Sequence, residues 1–421
     1  MQALKEENMS CDTIQVDEKA VLDILQSRNI STFFQPVVSI STKSIVGFEA
    51  FSRGGGGDVC IIDPQLLFHD ALTPNTKVEV DRLCREKALR QFKPISNNHK
   101  DMLLFLNVNS EILPYVEAGS EVLKEQVAAL GLDFSSVVID CNLKQAEGEA
   151  FEAFARLHMD FGFQLSLENC SIGDPFSLTL PRLKPDFVKI DSSFFSNGQQ
   201  KEYSPKLLEA LIDIADRAGA VVVAQGVETE EESIRLLTAG VHLQQGYYYT
   251  KDEGAKTKDP AKMFFDKIVG SYEKYKEEKR TLVQSRKNRF SNTFQNVASI
   301  CSKFASLPEG RFEEACKTLV HNVQDVVSMF VLNSAGIQVT ARYHVRTQRG
   351  TASSKVVGTA KGVDHSMQDY VLYLDMGYEK FVTRPFLSHY ADVETCIISR
   401  PLYNSEGQRF IVCTELPYPG S

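Results

Sequence analysis

The 421-residue chain has no apolar run near the roughly 18 residues that a membrane-spanning helix requires, and its first segment, MQALKEENMSCDTIQVDEK, is too charged for a secretory signal. These absences exclude membrane insertion and lead us to expect a cytoplasmic protein. Basic residues are not in excess: 46 Lys and Arg against 55 Asp and Glu give a net charge of -9, with no electrostatic footprint for duplex nucleic acid. The nine cysteines, an odd number scattered from Cys11 to Cys413, include no CxxC pair. That spacing argues against a disulfide framework or a structural zinc site and for reduced, buried thiols.

What remains is an ordinary globular composition, 43% hydrophobic and 24% charged, at a length that suggests two domains. From Phe33 to Thr250, β-branched and aromatic runs recur, among them FFQPVVSI, MLLFLNVN, SVVIDCN, FQLSLEN and AVVVAQGV. Stretches with helical spacing separate most of them, such as VEVDRLCREKALRQF (78–92), EILPYVEAGSEVLKEQVAAL (111–130) and SPKLLEALIDIADRAG (204–219). About eight strands alternating with helices predict an α/β fold, a TIM-type (β/α) barrel. Only Ser41-Thr42-Lys43 joins the first two runs, too short for a crossover helix, so the barrel is modified by one antiparallel strand.

After residue 258 the pattern changes. Asp259 and Pro260 open a long helical stretch reaching residue 308, with the charge run KYKEEKR on a solvated face. Residues 309–421 then contain a helix (FEEACKTLVHNVQDVV), a strand-turn-strand turning at Ser334-Ala335-Gly336, and the late strands ETCIISRPLY and RFIVCTEL. This is the pattern of a small α+β sensor or docking domain, with no catalytic constellation visible in it. The expected divisions are a barrel over 1–258, a linker helix over 259–308 and the small domain over 309–421.

Nearly every barrel strand ends in a polar residue that a buried strand does not need: Glu49, Asn107, Asp140, Glu168 with Asn169, Lys189 with Asp191, Gln225 and Gln245. Any one of them could be a helix N-cap, since Asp and Asn lead the cap preferences. The carboxyl ends of barrel strands converge on one mouth, however, and the full set favours a site there. Carboxylate and amide oxygens suit hard cations such as Mg2+, and a lysine among them suits a phosphate or an activated water. The chemistry implied is that of phosphate esters, although the acidic charge is thin for two divalent ions.

FQPV (34–37), VGFEAFSR (46–53), LNVN (106–109), VVIDCN (137–142), the 168–191 segment ending KPDFVKID, VVAQGVET (222–229) and QQGYYYT (244–250) resemble, in order, the motifs of the EAL-domain cyclic-di-GMP phosphodiesterases. The resemblance covers about residues 20–255 and includes the spacings, 21 residues from Glu168 to Lys189 and 36 from Lys189 to Gln225. A barrel followed by a long helix and a PAS- or Cache-like domain is similar to the YkuI-type proteins of bacteria.

The resemblance implies specific roles. Active members carry Glu at position 49, Asn at 107, Glu at 140, Asp at 168 and 169, and Glu at 225 around two metals, with Lys at 189 near the nucleophilic water. Here Glu49, Asn107 and Lys189 match, while Asp140, Glu168, Asn169 and Gln225 depart. Asp140 and Glu168 keep their charge but move the oxygen by about 1.5 Å, which is large against Mg2+ distances near 2.1 Å. Asn169 and Gln225 each remove a charge. At most one ion is therefore expected, on Glu49, Asn107, Asp140 and Glu168. Of the catalytic positions, Lys189 is retained but insufficient alone, and Gln225 is an amide that cannot act as a base. Cys170-Ser171 replaces the family's Phe-Gly, and Leu143 replaces a Glu, which alters the loop that organises the metals.

Ligand contacts are expected from Arg53, placed by the resemblance to clamp a phosphate, and from Gln35, Glu49, Asp191 and Gln245. Tyr247-Tyr248-Tyr249 could include a surface for a base, with strand packing accounting for at least two of the three; Gly54 to Gly57 read as a flexible loop. The expected function is a catalytically silent, or nearly silent, receptor. It binds cyclic-di-GMP without a required cofactor and signals to a downstream protein, as a homodimer formed through the long helix. The alternatives are a weak phosphodiesterase making pGpG with Mg2+ or Mn2+, and a scaffold that binds no nucleotide. In the C-terminal domain Arg384 and Tyr390 are candidates for a ligand pocket, against ordinary sheet packing.

Overall fold

The computed structural model describes residues 18–55, 67–69, 72–115, 120–143, 148–170, 176–191, 205–250, 264–345 and 361–420. They belong to two compact units, residues 1–278 and 279–421.

In the first unit, α1 (Glu18–Ser27) precedes β1 (Ile30–Ser39) and β2 (Ser44–Gly54), after which strand and helix alternate. The order is α2 (Pro74–Asn98), β3 (Leu103–Val108), α3 (Val122–Ala129), β4 (Val137–Asn142), α4 (Glu149–Asp160), β5 (Gln164–Glu168), α5 (Phe176–Leu183), β6 (Phe187–Ile190), α6 (Pro205–Ala218), β7 (Val221–Ala224), α7 (Glu230–Ala239) and β8 (Leu243–Gln244). The eight strands close into a barrel in chain order. As the short link at residues 41–43 predicts, β1 is antiparallel to both β2 and β8, and the other neighbours are parallel.

Successive strand residues face opposite sides of a sheet. One set gives the cluster of Val37, Phe105, Val138, Phe187, Val223 and Leu243, with the Phe105 and Phe187 rings edge to face at 5.2 Å. The alternate set, including Leu104, Leu106, Ile139, Leu165 and Val188, packs with the helices in the largest core cluster. Helix starts follow their caps: the Thr73 side chain accepts the Thr76 N–H ahead of α2, and Thr229 with Glu232 forms a reciprocal capping box on α7. The stretch expected as one helix over 111–130 is instead a 3-10 turn, Ser110–Tyr115, followed by α3. Pro114 sits in that turn and has no N–H to continue an α-helix.

Helix α8 (Phe265–Ala305) contains the division between the units. Its expected start at Asp259 and Pro260 lies outside the described residues. In the second unit α9 (Phe312–Asn322), β9 (Ser328–Asn333), β10 (Tyr343–His344), α10 (Asp369–Asp375), β11 (Phe381–Val382), β12 (Phe386–Leu387), β13 (Glu394–Tyr403) and β14 (Arg409–Pro417) follow. The strands form an antiparallel sheet ordered β10-β9-β14-β13-β11, with β12 also on β13. Alternation again divides two faces: Met329, Val331 and Val412 pack with Ile300 and Phe304 of α8 and Phe312 of α9. Phe330, Leu332 and Ile411 pack with Tyr370, Val371 and Leu374 of α10. The cysteines among the described residues are free and buried, and no helix among them is long and apolar enough to cross a membrane.

Candidate functional site

The alternation that fills the barrel also places its polar mouth. Two residues beyond Phe105, Val138, Phe187, Val223 and Leu243 come Asn107, Asp140, Lys189, Gln225 and Gln245, on the same face and nearer the carboxyl ends. Gln35 follows the rule in reverse, because β1 is antiparallel and the residue two before Val37 reaches the mouth. A cavity of about 960 Å³ opens there, lined by Gln35, Glu49, Arg53, Asn107, Glu168, Gln225 and Gln245 among others. After Gln245 the chain passes so close to Val227 that a Cβ on Gly246 would lie 2.1 Å from the Val227 carbonyl oxygen. Glycine is thus required for the turn that carries Gln245 into the site.

Lys189, fully buried, is the hub. Its ammonium donates to Glu49 Oε2 at 2.6 Å and to Asp140 Oδ2, and lies 5.0 Å above the Phe105 ring. Asn107 Nδ2 donates to Glu49 Oε1 at 3.0 Å, and Gln245 Nε2 donates to Glu49 Oε2 at 2.9 Å and to Gln35 Oε1 at 2.8 Å. Oxygens of Glu49, Asp140 and Glu168 all lie within 4.8 Å of one another. Three carboxylates therefore share one ammonium.

Their proton affinities reflect that imbalance. Burial is the largest influence on each. It pushes Glu168 up to about 8, reinforced by the Asp140 and Glu49 charges and offset by Lys189 and a hydrogen bond from Gln225. Asp140 is pushed up to about 6 by burial, with Lys189 opposing and the Glu49 charge adding to the rise. Glu49 alone ends below the ordinary carboxylate range: burial raises it, but Lys189, Asn107 and Gln245 together outweigh that. Burial by itself disfavours charge on Lys189, yet Asp140, Glu49 and Glu168 hold its affinity above the ordinary lysine range.

Other expected positions fall differently. Asp191 is half-buried just after β6 and is not among the residues lining the cavity. Asn169 takes a left-handed conformation, φ 55°, at the end of β5, which asparagine tolerates better than most residues. Cys170 and Leu143 are buried, while Ser171 lies outside the described residues. Tyr249 is buried and bonded to Gln244 and Ser233, Tyr248 packs against it, and Tyr247 is exposed. Gly54 ends β2, and Gly56 and Gly57 lie outside the described residues. In the second unit Arg384 is exposed and Tyr390 stacks on His344 with 4.4 Å between ring centroids. Sequence reasoning missed Asp81 and Arg85 of α2, which also line the cavity and form a buried pair at 2.7 Å. Their i, i+4 spacing was visible, but it reads as a solvated helix pair.

The model of the EAL domain family matches residues 18–252, more than half of the chain. The chain belongs to this family. The cyclic di-GMP phosphodiesterase PdeL of Escherichia coli is 26% identical over 241 residues, covering 56% of this chain and 66% of that protein. RocR of Pseudomonas aeruginosa, also a cyclic di-GMP phosphodiesterase, is 23% identical over 257 residues, covering 59% and 62%. The chain thus spans less than two thirds of these relatives' own length. Among solved structures, the Bacillus subtilis YkuI protein, which has an EAL domain and was crystallised with cyclic-di-GMP and calcium, superposes with a TM-score of 0.76. That match covers 94% of this chain and 99% of YkuI at 16% identity, so it speaks for the fold.

The EAL site here fits a divalent cation by its donor chemistry. With Glu49, Asp140 and Glu168 ionised against Lys189, the cluster carries two negative charges in excess, and its oxygen donors suit Mg2+ or Mn2+. That excess offsets one ion.

Proposed function

We propose that the barrel is a receptor for cyclic-di-GMP in which hydrolysis is lost or nearly so. Occupancy is passed through α8 to the C-terminal unit, a second copy or a downstream protein, in the cytoplasm. One observation carries the reading. Arg53, Gln35 and Gln245 line the same cavity as a carboxylate cluster whose net charge offsets a single divalent ion. Arg53 can bind a phosphate bidentately without metal, so recognition and hydrolysis are separable. Neither Asn169 nor Gln225 can take a proton from water. Binding therefore needs no cofactor. Titration calorimetry in EDTA should show heat on adding cyclic-di-GMP, and Arg53→Ala should reduce it. Absence of heat at high protein concentration would overturn the reading in favour of a nucleotide-independent scaffold.

A weak phosphodiesterase is the second reading, favoured by the approach of Glu49, Asp140 and Glu168 within 4.8 Å. When bound there, one Mg2+ or Mn2+ would polarise a phosphate oxygen. Lys189 would then hold Glu49 and Asp140 in place, as it does through its two hydrogen bonds. Chromatography after long incubation with Mn2+ separates the readings. Linear accumulation of pGpG that disappears in Glu49→Ala supports the enzyme.

A further inference from the structure

We infer that Arg85 is a second cationic contact for the ligand, taking the phosphate that Arg53 does not; this rests on the cyclic-dinucleotide reading above. Asp81 and Arg85 lie one turn apart on α2, and both are buried in the cavity wall. Arg85 Nη2 is 2.7 Å from Asp81 Oδ2, and Arg85 Nε donates to the Asp81 carbonyl oxygen at 3.4 Å. A guanidinium has five N–H donors. Among the described residues, no further partner takes the remaining ones. They belong to a cavity-lining side chain, 8% exposed, and none of its nitrogens is among the buried polar atoms left without a partner, so the donors stay open to solvent and to a ligand.

Bracing the wall does not account for the guanidinium. Asp81 Oδ1 accepts the Asn109 N–H at 3.2 Å and so secures the end of β3 by itself. Neutralising Asp81 uses one edge of the arginine fork and leaves the rest. Arg53 on β2 and Arg85 on α2 thus line one cavity. A cyclic dinucleotide has two phosphodiesters, and planar forks suit both. A linear dinucleotide such as GpG has one and engages one arginine.

Calorimetry on the full chain in EDTA, comparing cyclic-di-GMP with GpG, tests this. Arg85→Leu should weaken cyclic-di-GMP about 10- to 100-fold, the range of a charge-assisted hydrogen bond, and GpG less than about threefold. If Arg85 only braces the wall, both ligands weaken alike and the inference is overturned. Unchanged cyclic-di-GMP affinity overturns it too. Failure of the unsubstituted protein to bind cyclic-di-GMP overturns the parent reading instead. Should Arg85→Leu not fold, Arg85→Gln keeps a donor for Asp81, and the same collapse of the cyclic-to-linear ratio is expected.

Discussion

Each unit buries a charged cluster around one cation, three carboxylates in the barrel and a single one in the second unit, and the two clusters are finished differently. In the second unit Glu415, 1% exposed, is matched one to one with Arg342 at 2.8 Å. Its Oε2 also accepts from Ser328, and its Oε1 accepts from Ser388 at 2.6 Å and Thr395 at 2.9 Å. Charge and hydrogen bonding are balanced from within. In the barrel, Lys189 is the one cation paired with Glu49 and Asp140 among the described residues, with Glu168 close by, and Glu168 and Asp140 hold protons more tightly than ordinary carboxylates. A balanced cluster holds a fold together; an unbalanced one beside a cavity is poised for a charged ligand.

Removing the cation from each cluster should have the largest effect. Lys189→Met and Arg342→Met each leave buried negative charge unpaired and should cost about 3–5 kcal/mol in EDTA. Hydrogen exchange, read separately in the two units, measures both. Millimolar Mn2+ should recover much of the loss in Lys189→Met and none in Arg342→Met. Equal rescue of both, or of neither, would remove the distinction between the clusters.

Adding charge breaks the comparison from the other side. By the family resemblance Asn169 and Gln225 occupy carboxylate positions of the site, so Asn169→Asp with Gln225→Glu should add two carboxylates to the three around Lys189. The metal-free protein should lose about 2 kcal/mol from like-charge crowding, and Mn2+ affinity should rise at least about tenfold. Calorimetry with Mn2+ checks the second effect, and chromatography checks for a gain in pGpG formation. Unchanged Mn2+ affinity would mean that charge at these positions does not limit the site.

A pH series sharpens the same point. Glu168, pushed up to about 8 from an ordinary 4.5, keeps a proton in the folded protein that the unfolded chain gives up near its ordinary value. This contribution to stability is fully present below about pH 4.5 and is lost as pH rises through about 8. Asp140, at about 6, adds a change of the same sign at lower pH. Metal-free stability should therefore fall by about 5 kcal/mol between pH 5 and 8, and Glu168→Gln should flatten the upper part of that slope. Urea titrations across the range measure it. A slope of opposite sign would mean that Lys189 dominates Glu168.

The barrel was legible because strand periodicity and strand direction are local. Alternation in LNVN, VVIDCN and FVKID fixes which residues face inward, and the carboxyl-end rule gathers Asn107, Asp140 and Lys189 without a distance being known. The thinness of acidic charge was also visible, since Asn169 and Gln225 are amides where the resembled family carries carboxylates. Burial was not. Asp81 and Arg85 form a pattern shared with exposed helices, and only packing of α2 against the barrel removes their solvent. The second unit hides more, because Arg342 and Glu415 are 73 residues apart and no motif joins them. The short α10 went unread for a related reason: seven residues are too few to establish a helical period.

Thr395→Val should show the smallest effect, and it examines the balanced cluster on its own terms. The substitution keeps β-branching and volume at a buried position of β13 but deletes one of the donors to Glu415. Ser328, Ser388 and Arg342 continue to serve the carboxylate, so the cost should be that of one ordinary hydrogen bond, about 1 kcal/mol, read by hydrogen exchange in the second unit. Cyclic-di-GMP affinity, measured by calorimetry on the same sample, should stay within about twofold. A loss above about 3 kcal/mol would place Glu415 in the regime of a broken buried ion pair, with the neighbouring donors unable to compensate. A shift in ligand affinity would instead couple this cluster to the barrel, and the balance around Glu415 would then serve signalling as well as folding.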